Sequence, residues 1–228
     1  MKLPDTTIPL AGPEFRTGLT TPEAQQVQIV IPGAVSVGLK CVDGVVLGNE
    51  RRVIWGYTVT SKKVKKVFRV TDTIGFSVSG LISDMQMLVK IMRANANLYE
   101  LNNHTTMSVK SLTKLLSGFL YQRKMAPLYT QVIVGGVDKD GPAIYTLDPV
   151  GSLIPDDFAA TGSSTTLAIS ILEAEYDETM TVEQGKELAE KAIVNSIKRD
   201  ATTGEMMDLL IIKADGSQGM SKDLSEII

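Results

Sequence analysis

Residues 33–50 read GAVSVGLKCVDGVVLGNE, and in them two apolar runs, Val35 to Cys41 and Val45 to Leu47, stand on either side of Asp43-Gly44. Alternation of apolar and small residues is the period of a half-buried strand, and Asp-Gly is a hairpin dipeptide, so this stretch predicts an antiparallel pair. Further along, Lys66 to Val70 and Thr73 to Val78 flank Thr71-Asp72 with β-branched residues on both sides and predict a second pair.

Beyond Gly80 the period changes from two to about 3.6. Met85, Leu88, Met92, Ala96 and Tyr99 fall on one face of a long helix, with Ser83 and Gln86 spaced as a capping box at its start. Val109, Leu112, Leu116 and Phe119 repeat the stripe in a second helix that begins near Ser108. Both stripes are read as core and carry no chemistry. Strands return at Thr130 to Val137, Ile144 to Leu147 and Phe158 to Thr161, and helices follow from about residue 165 and from Val182, the latter with a Thr181/Gln184 capping box. Leu209 to Ile212 is a last buried strand before a short amphipathic tail. Strands, two helices, strands, two helices, strand is an α+β order that predicts two packed sheets with helices outside both, because each sheet has one face for its partner and one for helices.

Upstream, Pro4, Pro9, Gly12, Pro13, Gly18, Pro22, Pro32 and Gly33 punctuate a segment with one apolar run, Val27 to Ile31. The division expected is a leader-like segment, 1–33, with one strand at its end, and a body, 34–228.

Composition narrows the chemistry. The 228 residues are 43% hydrophobic, enough for a substantial core, and 23 basic against 26 acidic residues leave a net charge of −3, which argues against nucleic acid or an anionic membrane as partner. One cysteine, Cys41, and one histidine, His104, supply neither a disulfide nor a metal cage nor a Ser-His-Asp triad. No apolar run reaches the roughly 18–20 residues of a membrane span. A soluble cytoplasmic protein with no metal and no cofactor is expected.

Several segments carry a resemblance: Gly33-Ala34-Val35-Ser36-Val37-Gly38, Asp43-Gly44-Val45-Val46-Leu47, Glu50-Arg51-Arg52, Ser79-Gly80-Leu81-Ile82-Ser83-Asp84, Leu147-Asp148-Pro149-Val150-Gly151, Ala160-Thr161-Gly162-Ser163 and Lys198-Arg199-Asp200-Ala201-Thr202-Thr203-Gly204. In this order they resemble a proteasome β subunit of archaeal type over about residues 33–213. The resemblance implies an N-terminal-nucleophile hydrolase fold, a four-layer αββα sandwich. It also implies a precursor that cuts itself after a glycine to free a threonine, whose hydroxyl attacks a peptide carbonyl while its α-amine serves as base. Gly33 matches that glycine, but the next residue is Ala34, which has no hydroxyl.

The support positions match more fully. By resemblance, Lys66 lowers the nucleophile's pKa and Glu50 stands for the usual aspartate beside it. Asp200 and Thr203 orient the amino terminus, Ser163 lies near it, and Gly80 offers the oxyanion amide. Val53, Val78 and Ile82 match the pocket for the side chain before the cut, and Ile54 replaces a threonine that hydrogen-bonds the substrate backbone. Equally, Glu50 and Lys66 persist together if they form a buried pair, and the apolar positions are also consistent with ordinary core. Two functional readings stay open. One is a non-catalytic structural subunit in a seven-membered β ring stacked on an α ring, serving ATP-dependent degradation through a regulatory ATPase on that α ring. The other is a threonine endopeptidase held as a Thr-to-Ala precursor. Comparing the genomic codon for position 34 separates them.

Overall fold

The computed structural model describes residues 34–56 and 58–225; the segment 1–33, with Val27 to Ile31 and Gly33, lies outside the described residues. The leading hairpin is β1 (Ser36–Cys41) and β2 (Gly44–Glu50), antiparallel, with Cys41 opposite Gly44 so that Val42 and Asp43 make the turn. A short second hairpin, β3 (Val53–Trp55) and β4 (Thr58–Ser61), precedes β5 (Val67–Arg69) and β6 (Ile74–Gly80). Then come α1 (Ile82–Asn103), α2 (Val109–Tyr121), β7 (Thr130–Asp138), β8 (Gly141–Leu147), β9 (Ile154–Asp156) and β10 (Phe158–Thr161). The last elements are α3 (Thr165–Glu175), α4 (Val182–Ile197), β11 (Met206–Lys213) and β12 (Gly216–Asp223).

Two five-stranded antiparallel sheets result, ordered β10-β1-β2-β11-β12 and β5-β6-β7-β8-β9. The strand period decides the layers. Along β11, Leu209 and Ile211 turn toward α3 and α4, into a core that holds Val37, Leu39, Leu172 and Ile193. Leu210 and Ile212 turn the other way, to meet Val45, Leu47, Ile133 and Ile144 between the sheets. On the far side Phe76, Val78 and Val134 pack under Leu88, Met92 and Leu116 of α1 and α2. This is the four-layer αββα sandwich, and each of its fully buried aliphatic side chains contributes roughly 1.5–3 kcal/mol.

Four local expectations need correction. The Ser83/Gln86 capping box does not form, because the chain leaves β6 straight into the helix: Leu81 is the N-cap with no side-chain bond, and Ser83 turns its hydroxyl to Asp84. Phe119 is only half-buried, its ring lying under the Arg123 guanidinium at 3.8 Å, while Leu120 takes the core position. The C-terminal tail is a strand, β12, paired along the whole of β11. The short strands β3, β4 and β9 are additions that the apolar pattern did not signal. The Thr181/Gln184 box is present, with Gln184 Oε1 accepting from the Thr181 N–H at 2.9 Å.

Candidate functional site

Ala34 stands two residues before β1, its side chain enclosed at 1% exposure. Its N–H donates to Ser163 Oγ at 3.2 Å, and its carbonyl accepts from the Ser164 N–H at 3.3 Å. Both serines belong to the turn from β10 into α3. That turn needs Gly162, whose φ is +103° and where a Cβ would run into the Ala34 carbonyl.

Asp200, just beyond α4, gathers the hydroxyls. Ser163 Oγ donates to its Oδ2 at 2.7 Å and Ser164 Oγ joins the same oxygen, while the Thr202 N–H and hydroxyl bond Oδ1 at 2.8 and 2.6 Å. Burial pushes the Asp200 carboxyl up, but the bonds from Ser164, Thr202 and Ser163 outweigh it and hold the group below the ordinary range. Thr203, expected beside the terminus, spends its hydroxyl on the Asp200 carbonyl at 2.9 Å and closes the turn. Thr202, 3.1 Å from Ser163 Oγ, and Ser164 are the hydroxyl residues that the sequence reading did not place in the site. The only signal for them was their adjacency to Thr203 and Ser163.

A second cluster is charged. Lys66 and Glu50, 1% and 0% exposed, form a direct ion pair; Lys66 also donates to the Arg52 carbonyl at 2.6 Å. The other Glu50 oxygen accepts from the Arg52 N–H at 2.5 Å and the Gly204 N–H at 3.1 Å. Burial pushes the Glu50 carboxyl up and the Lys66 ammonium down, each opposed by the partner's charge. The Arg52 guanidinium continues to Glu205 and the Ala201 carbonyl. The strand end at Glu50 is thereby tied to the segment 201–205, which follows Asp200 directly.

Gly80 ends β6 at φ +127°, where a Cβ would meet the Tyr129 carbonyl. Gly80 and Ser163 share a cavity of about 400 Å³ lined also by Tyr129, Thr130, Gln131 and Pro149. Val53, Ile54, Val78 and Ile82 do not line it. Val78 is fully buried under α1 and α2, Ile82 is half-buried against the same core, and Val53 and Ile54 lie on β3, half-buried and buried.

Among the described residues no three His, Cys, Asp or Glu side chains come together as a metal site, and no helix is long and apolar enough to cross a membrane. Cys41 is buried in the core beside α3 and α4; desolvation and then Asp43 push its thiol up to about 12, so no thiolate forms near neutrality. His104 caps the C-terminal end of α1, exposed on the other side of the sandwich.

An αββα sandwich whose first body strand begins beside a serine–aspartate cluster has the architecture of the N-terminal-nucleophile hydrolases. The chain belongs to the proteasome subunit family, whose model matches residues 31–212. It is 42% identical over 198 residues to proteasome subunit beta 2 of Thermofilum pendens, covering 87% of this chain and 97% of that protein. It is 44% identical over 186 residues to proteasome subunit beta 2 of Pyrobaculum neutrophilum, with 82% and 92% covered. To the proteasome subunit beta of Methanosarcina thermophila it is 39% identical over 183 residues, with 80% and 87% covered.

Proposed function

We propose that this chain is a non-catalytic β-type subunit of the proteasome core particle, carrying residues 1–33 as a retained leader on the body 34–228. It assembles with other proteasome subunits in the cytoplasm, in a seven-membered β ring against an α ring, and shapes the degradation chamber while other subunits cut. A regulatory ATPase acts on it only through the α ring. The observation that supports this reading is Ala34, which by resemblance matches the nucleophile position: its backbone is held by Ser163 and Ser164, and its side chain offers no hydroxyl to attack with. Gly80, Ser163, Asp200 and Thr203 then serve as scaffold, and Glu50 with Lys66 as a buried staple.

Purified chain is expected to hydrolyse no fluorogenic peptide and to take up no threonine-directed covalent inhibitor. Inhibitor-sensitive turnover, or an adduct on this chain, would overturn the reading. The leader is expected to persist because its removal between Gly33 and Ala34 needs the same missing hydroxyl. Intact-mass spectrometry of assembled particles should then show all 228 residues, less Met1 where it is removed. A dominant species beginning at Ala34 would mean that a neighbouring subunit trims it.

The full set of bonds around Asp200 and Glu50 also supports a second reading, a threonine endopeptidase captured as its Thr-to-Ala precursor, since nothing in those clusters has collapsed. A threonine codon at position 34 in the genome would select it.

A further inference from the structure

We infer that Asn49, Ser77, Ser79 and Thr161 form a polar clamp between the two sheets, and that they are positioning residues which set where Gly80 stands relative to Ala34 and Ser163. The inference goes beyond the reading above and does not depend on what residue 34 can attack.

The sheets meet through Leu47, Leu210, Ile133 and Ile144. Aliphatic contact is non-directional, so it holds two sheets together without fixing their offset, whereas a hydrogen bond has a preferred length and angle. Such bonds cross from sheet to sheet at the end of the sandwich that carries the site. Asn49 Nδ2 on β2 donates to the Val78 carbonyl at 3.0 Å and to Ser77 Oγ at 3.3 Å, both on β6. Ser77 Oγ donates back to the Gly48 carbonyl at 2.8 Å, and Ser79 Oγ donates to Thr161 Oγ1 at 3.1 Å. Asn49 and Ser77 are fully buried, Ser79 and Thr161 nearly so. Their places in the chain give the clamp its consequence. Ser79 directly precedes Gly80, and Thr161 directly precedes Gly162 and Ser163. Asn49 Nδ2 also bonds Ser36 Oγ, its register partner on β1, two residues after Ala34.

Stability alone does not account for Asn49. Its Oδ1 is buried with no hydrogen-bond partner among the described residues, and turning the amide over would set that oxygen against the Val78 carbonyl. An unpaired buried acceptor lowers stability, and a leucine of similar volume would fill the space without one. What the amide adds is direction.

Amide and methyl NMR of the full chain, with Tm measured on the same samples, tests this. Asn49→Leu and Thr161→Val each remove cross-sheet bonds at similar volume. Each is expected to keep the Tm within a few degrees while giving the Ala34 methyl and the Gly80 and Ser163 amides a second set of signals, at about 1–10% of the intensity, from a minor sheet offset. Thr161→Ser keeps the hydroxyl and should show one set. Ile144→Val, which trims an apolar contact between the same sheets, should lower the Tm and also show one set. One set of signals in both Asn49→Leu and Thr161→Val, failure of either to fold, or a second set in Thr161→Ser or Ile144→Val would overturn the proposal, because the side chains would then act as ordinary packing.

Discussion

Ala34→Thr is expected to release the leader in assembled rings while restoring only weak turnover of added peptides. The substituted hydroxyl would stand where Ser163 and Ser164 already hold the backbone, with Asp200 orienting both serines and Lys66 kept in place by Glu50. Leader release is intramolecular: the hydroxyl adds to the Gly33 carbonyl, the acyl group passes from nitrogen to oxygen, and water then cleaves the ester to leave a free α-amine. Reactions of this kind have effective molarities on the order of 10⁵ M or more, which masks imperfect positioning.

An added peptide has no such advantage. By resemblance Ile54, buried on β3, replaces a threonine that hydrogen-bonds the substrate backbone; isoleucine offers no such side-chain bond, and loss of one transition-state bond lowers the rate on the order of 10²–10³-fold. Ile54→Thr added to Ala34→Thr is therefore expected to raise peptide turnover by a large part of that factor and to change leader release little. Gel shift measures the first reaction and fluorogenic peptides the second. Full turnover from Ala34→Thr alone would favour the captured-precursor reading. Absence of leader release in both variants would show that the surrounding residues are kept for packing.

The layers were legible wherever period alone decides structure. Met85, Leu88, Met92 and Ala96 mark α1 because they repeat at helical spacing and have a sheet to cover, and β11 reads as a strand from four consecutive buried aliphatics. β12 was not legible, because Gly-Ser-Gln-Gly-Met-Ser-Lys-Asp has no β-branched residue; the ladder to β11, rather than propensity, makes it a strand. The α1 start was misread for a similar reason, since Leu81 is fixed by the Tyr129 carbonyl at 2.8 Å, a partner 48 positions away that no local pattern contains. The site follows the same rule. Ala34 and Ser163 are 129 residues apart, and only the family resemblance could pair them. Even the resemblance could not assign each hydroxyl to its acceptor, because Thr202 and Thr203 are adjacent and similar, and the turn geometry at Asp200 sends one to the carboxylate and the other to the carbonyl.

The other large effect concerns stability. Lys66→Met is expected to destabilise the chain by about 3–5 kcal/mol, because it leaves the Glu50 carboxylate buried without its counter-charge. That corresponds to a fall in Tm on the order of 10 °C for a domain of this size. The sign of the pH dependence follows from the carboxylate. Without Lys66 the folded-state pKa of Glu50 lies further above its unfolded value, so the folded state takes up a proton that the unfolded state releases. The deficit is then greatest at neutral and alkaline pH and shrinks as pH falls toward the unfolded pKa, because protonation removes the buried charge. Glu50→Gln added to Lys66→Met should recover most of the loss at neutral pH. The amide carbonyl can still accept from the Arg52 and Gly204 N–H groups, and no unpaired ion remains. Urea denaturation from pH 5 to pH 8 measures all three chains. A loss under about 1 kcal/mol for Lys66→Met, or a double variant less stable than the single one, would show that the pair is not a structural staple.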